Sequence, residues 1–83
     1  MINNYQLMQI AEITSEPIQL YKLLKLESLV SSGGEAKMVI ADGLVTVNGE
    51  TETRKRKQIV SGDEITFNGQ TLKVQLVGDT PNQ

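Results

Sequence analysis

The chain has 83 residues, 39% hydrophobic and 22% charged, with 8 basic against 10 acidic side chains and a formal net charge of −2. That length predicts one domain with a single core and no deep enzyme cleft. Cys and His are absent, which excludes disulfides and thiolate metal sites and removes the commonest general base. With Tyr5, Tyr21 and Phe67 the only aromatics, the core must be aliphatic. No apolar run approaches ~18 residues and no charged-then-apolar leader opens the chain, so a cytoplasmic protein without a membrane span is expected.

Residues 5–13 alternate roughly and read as a strand. Ser15-Glu16-Pro17 then carries a helix-start signature: a capping oxygen, an acid in the first turn, and Pro where no N–H is needed. This first helix is expected to run to about Leu29. Leu20, Leu23, Leu24 and Leu26 cover more than one of its faces, for contact with both a sheet and a second helix.

Ser32 stands three residues before Glu35, the spacing of a reciprocal capping box. Ala36, Val39 and Ile40 follow at helical spacing, flanked by Met38, and Gly43 stands where a helix ends in a left-handed residue. The connection between the two helices is short, so they are expected to form a hairpin.

From Leu44 the period changes to two: Val45 and Val47 share one face, Thr46 and Asn48 the other. Asn48-Gly49 marks a tight hairpin, with a returning strand from Glu50 to about Arg54. Ser61-Gly62-Asp63 reads as a turn, Ile65 and Phe67 as a strand, Asn68-Gly69 as a second hairpin, and Leu72, Val74 and Leu76 as the last strand. Residues 78–83 are polar, contain Pro81 and read as a loose tail.

The elements predict an α+β fold, two packed helices against a small, mostly antiparallel sheet, in one domain spanning residues 1–83. Its expected core is Leu20, Leu24, Ala36, Val39, Ile40, Val45, Val47, Ile65 and Val74. Gly43 and Gly49 are expected at positive φ.

Half of the positive charge sits in one run, Arg54-Lys55-Arg56-Lys57; without it 4 basic residues face 10 acidic ones, a net −6. Like charges so close together repel, which costs stability unless an anion binds or the side chains fan into water. The plain alternative is a solvated basic turn.

The order of elements and several of their sequences resemble the alpha-L RNA-binding motif, the small domain named after ribosomal protein S-four. The resemblance rests on Leu20-Tyr21-Lys22-Leu23-Leu24, Ser31-Ser32, Ala36-Lys37-Met38-Val39-Ile40, Asp42-Gly43-Leu44-Val45-Thr46-Val47-Asn48-Gly49 and Ser61-Gly62-Asp63-Glu64-Ile65. It covers about residues 18–67. Leu23-Leu24-Lys25-Leu26-Glu27 and Glu52-Thr53-Arg54-Lys55-Arg56 are similar to the short stand-alone bacterial members in particular. The chain departs from the family pattern at Gln19, where an Arg is usual, and at Gly33, which follows Ser32 where the family has Arg.

With no His, no Cys and no metal-ligand cluster, a non-enzymatic protein without cofactor or metal is expected, and the resemblance implies one that binds structured RNA, ribosomal RNA among the candidates. Phosphates call for cations on a firm support. On an extended segment Arg54 and Arg56 would share one face as principal contacts, with Lys55 and Lys57 on the other. Lys37, on the outward side of the second helix, would extend the patch, and Lys25 is a further candidate unless it pairs with Glu27. The alternatives of another class are a protein-interaction module whose basic run binds an acidic partner, and an accessory subunit that associates through its strand edges.

Overall fold

The period-two segments after Leu44 fold as strands, the returning one stopping at Thr51 and not at about Arg54. Residues 8–78 are described by a computed structural model, in which β3 (Val45–Val47) pairs antiparallel with β4 (Glu50–Thr51) and with β6 (Glu64–Phe67), and β6 with β7 (Gln70–Leu76). Both Asn-Gly corners carry positive φ at each central residue: 54° and 86° at Asn48-Gly49, 55° and 79° at Asn68-Gly69. That geometry twists a two-residue turn with its flanking strands. Asn48 also ties the first corner to the sheet, accepting from the backbone N–H of Glu64 and donating to the Asp63 carboxylate.

At the far side β1 (Met8–Ile13) lies parallel to β7, giving the order β1-β7-β6-β3-β4. The sheet is therefore mostly antiparallel with one parallel edge. Residues 5–7 of the expected first strand, with Tyr5, and residues 79–83 of the expected tail lie outside the described residues.

The second helix, α2 (Gly33–Ala41), ends as expected in a left-handed glycine, Gly43, at φ 79°. Gly43 N–H donates to the Ile40 carbonyl and Leu44 N–H to that of Val39, so two terminal carbonyls are satisfied. At its start, the Ser32 hydroxyl accepts from Glu35 N–H as the capping box requires. The reciprocal half is displaced: the Glu35 carboxylate reaches both the N–H and the hydroxyl of Ser31, not the N–H of Ser32. Those bonds hold the Glu35 pKa below its ordinary value, the Ser31 N–H more than its hydroxyl.

The first helix, α1, is shorter than expected at both ends, covering Leu20–Leu26. Its start is displaced because Ile18 and Gln19 form β2, paired antiparallel with Gln58 and Ile59 of β5 in a separate two-stranded ribbon. The carboxylate of Glu16 accepts from Ser61 N–H at 2.7 Å instead of serving the helix. Its end comes early because Ser28 takes the left-handed position at φ 61°. Ser28 N–H then donates to Lys25 O and Leu29 N–H to Leu24 O, the closure that α2 makes with glycine.

Every residue expected in the core is buried, joined by Ala11, Ile13, Leu23, Val30, Ile59 and Leu72. Leu26 is the exception among the helix leucines; being 59% exposed, it adds no second buried face. Among the described residues no helix is long and apolar enough to cross a membrane.

Candidate functional site

The basic run does not continue the strand. β4 stops at Thr51, and a turn closes where Lys57 N–H donates to Arg54 O at 3.1 Å, with Lys55 and Arg56 at its centre. The expected alternation, with Arg54 and Arg56 on one face of an extended segment, is thus overturned. At the root of the turn the Glu52 carboxylate bends back over the chain. It accepts from Arg54 N–H at 2.9 Å, from Nε at 2.9 Å and from Nη2 at 3.0 Å. The Glu52 side chain is only 13% exposed, whereas that of Arg54 is 70% exposed.

The turn is also fastened from below. At the N-terminus of a helix the first backbone N–H groups have no partner within the helix. The side chain of Gln19 does not cap α1. Instead Leu20 N–H donates to the carbonyl of Lys57 at 2.9 Å and Tyr21 N–H to that of Lys55 at 3.1 Å. The backbone of the basic run is therefore the cap of α1. This arrangement lets the cationic side chains point outward while their own carbonyls do structural work.

Tyr21 draws in one more cation. Lys37 Nζ lies 4.9 Å from the centroid of its ring, a favourable placement of charge over a π face. A shallow groove lined by Lys37, Ala41, Thr53, Arg54, Lys55 and Arg56 joins α2 to the turn, and a second is lined by Arg54, Arg56, Lys57 and Gln58. Arg56 borders both. Four of the expected residues, Lys37, Lys55, Arg56 and Lys57, thus share one surface with Arg54. Lys25 does not: it lines a different groove with Ser28, Ser31 and Glu35.

Lys22, which sequence reasoning passed over, is exposed on α1 and lines a groove with Gln19 and Gln58, the latter shared with the Arg56–Lys57 groove. Its position next to Tyr21 was the available signal. The remaining lysine, Lys73, pairs with Glu64 at 3.8 Å away on the sheet.

The Glu52 pKa is pulled from 4.5 down to about 2, first by the Arg54 side chain and then by its backbone N–H, with Lys57 adding a smaller attraction. Arg54 is held charged more firmly in return. A depressed carboxylate pKa gives stability that is complete above the unfolded-state value and is lost as pH falls toward the folded one. Acid denaturation of the parent against Glu52→Gln should therefore show a stability gap that closes between about pH 5 and about pH 2. A gap independent of pH would mean that the carboxylate gains nothing from its charge.

Known proteins are similar to this chain in sequence and in fold. "Putative RNA-binding protein YbcJ" of Escherichia coli (strain K12) is 47% identical over 57 residues, 69% of this chain and 81% of that protein. "Probable ribosome maturation protein RlbA" of Bacillus subtilis (strain 168) is 35% identical over 57 residues, 69% of this chain and 80% of that protein. The solution structure of Escherichia coli YbcJ, described as revealing an alfaL motif involved in RNA-binding, superposes with a TM-score of 0.66 at 41% identity. It covers 90% of this chain and 96% of that one. The S4 domain family matches residues 11–75, nearly all of the described sheet and both helices. With that match and those relatives, the chain belongs to the S4 domain family.

Proposed function

We propose that this chain is a small non-enzymatic RNA-binding protein that grips the phosphates of structured RNA through Lys37, Lys55, Arg56 and Lys57, with ribosomal RNA the favoured class. The observation that carries the reading is the convergence of cations from α2 and the 54–57 turn onto one surface of an otherwise acidic chain. The turn is fastened by its own backbone to α1, so little ordering remains to oppose binding. YbcJ and RlbA support RNA, and the name of RlbA supports a ribosomal one. Stacking on aromatics contributes little: Tyr21 already carries Lys37 over its ring, and Phe67 packs against the core. Recognition then rests on the shape of the RNA and its phosphates.

Four phosphates met by these four cations should give a slope of log affinity against log salt of about −3 to −4. Anisotropy with a structured RNA across a salt series measures it. Nucleic acid carried through purification, and shed in a high-salt wash, should also raise the 260/280 nm absorbance ratio, since the chain contains no Trp and only two Tyr. A flat salt dependence would remove the phosphate reading.

A further inference from the structure

The most basic stretch of the chain contains one acid at its root, and that acid grips the first arginine. We propose that Glu52 is the positioning residue of the phosphate-binding turn: by clasping Arg54 it fixes the turn 54–57, so that Lys55, Arg56 and Lys57 take the phosphates while Arg54 does not. This inference rests on the phosphate-binding reading above and specifies how its site is built.

Three observations carry it. First, the clasp is complete on the carboxylate side. Glu52 Oε2 accepts two N–H groups of Arg54, one from the backbone and one from the side chain, and Oε1 accepts a third. Side-chain and main-chain bonds to one residue fix the direction in which the chain leaves the strand. The next closure, Lys57 N–H to Arg54 O, is the turn itself.

Second, exchange of Glu52 for a phosphate is unfavourable. A phosphate that took Arg54 from Glu52 would have to replace the two side-chain bonds to the carboxylate and would then stand beside that carboxylate. Two like charges side by side repel. The outer Nη edge of Arg54 does remain open to solvent. Its charge, however, is already neutralised by Glu52, so a phosphate there displaces few condensed counterions.

Third, the cations beyond the clasp are differently placed. Lys55 and Arg56 occupy the centre of the turn, and no ion pair involves Lys55, Arg56 or Lys57 among the described residues. Arg54 and Arg56 both border the two grooves, with Lys37 and Lys55 on one side and Lys57 on the other. What separates them is pairing: Arg54 is held by Glu52, whereas Arg56 meets a phosphodiester backbone crossing the turn with its charge uncompensated.

The test uses the full chain with one structured RNA, by anisotropy in a salt series, and the 15N spectrum of the arginine side chains. Glu52→Gln removes a negative charge beside the patch. Simple electrostatics makes that variant bind more tightly, whereas loss of positioning makes it bind about 3- to 10-fold more weakly as the turn must be ordered on binding. The paired variant Glu52→Gln/Arg54→Gln removes both charges without stranding either. It should bind more weakly with the parent's salt slope, whereas a phosphate contact at Arg54 would make the slope shallower by about 1.

In the unaltered protein the Arg54 Nε–H resonance should be resolved and keep its position when RNA saturates the chain. Tighter binding by Glu52→Gln, a shallower slope in the paired variant, or displacement of that resonance by RNA would each overturn the proposal. A parent slope near zero would instead remove the phosphate reading itself. The clasp proposal fails alone where the parent slope is steep and any of those three results appears.

Discussion

Replacing Ile40 by Ala is expected to lower folding stability by about 2–4 kcal/mol, the range for deleting a buried aliphatic side chain and leaving a cavity behind. Ile40 is fully buried in the last turn of α2, in one cluster with Leu20, Leu23 and Leu24 of α1 and Val45, Ile65 and Leu72 of the sheet. The backbone argues for the upper half of that range. The Ile40 carbonyl accepts Gly43 N–H and the Val39 carbonyl accepts Leu44 N–H. The segment is thereby pinned at the junction of helix and strand and cannot easily collapse into the void. Urea denaturation of parent and variant measures the difference. Met38→Ala supplies the contrast on the same helix: Met38 is 57% exposed, and its loss should stay within about 0.5 kcal/mol. If Ile40→Ala also stays below about 0.5 kcal/mol, the buried face of α2 is wrongly assigned.

What could be read from the residues and what could not divides along a physical line. Signals carried by a residue and its near neighbours came through: the Asn-Gly corners, the glycine that ends α2, the alternation of Val45 and Val47, and the Ser32 cap. Signals supplied by distant partners did not. The Ser15-Glu16-Pro17 sequence is a sound helix start in isolation, but pairing of Ile18 and Gln19 with Ile59 and Gln58 claims that stretch for a ribbon. The parallel edge β1–β7 joins residues some sixty positions apart and leaves no local trace. Ser28 ends α1 without glycine, so the usual stop signal was missing.

The site shows the same division. Its charge was plain in the sequence, and so was Lys37 as an outward lysine on α2. Its shape was not, because the bend that replaces an extended strand carries Glu52 reaching two residues along to Arg54, and the support beneath it is α1 donating into the carbonyls of Lys55 and Lys57. An acid two residues before a basic run is unremarkable on paper. Only the fold shows that it takes the first arginine out of the set of free cations.

Changing Lys55, Arg56 and Lys57 together to Ala is expected to weaken binding of a structured RNA by about 3 kcal/mol, near a hundred-fold, and to make the salt slope shallower by about 2–3. These three side chains supply most of the charge that no protein carboxylate neutralises at the site, leaving Lys37 and the clasped Arg54. Folding stability should move by less than about 0.5 kcal/mol. The reason lies in which atoms of the turn bear on the fold. The bonds to α1 come from the carbonyls of Lys55 and Lys57, and the turn closes through Lys57 N–H and Arg54 O, all of which survive in alanine. The lost side chains are charges that repel one another, exposed at Lys55 and Arg56 and half-buried at Lys57, so the relief of their repulsion offsets the weak attraction of Lys57 to Glu52. Binding and stability are thereby separable in one variant. Anisotropy across a salt series reads the first, and urea denaturation of the same preparation the second. Undiminished affinity with an unchanged slope would make the run a solvated turn and place the RNA surface elsewhere. Lost affinity accompanied by unfolding would show instead that the side chains, and not their carbonyls, hold the turn to α1.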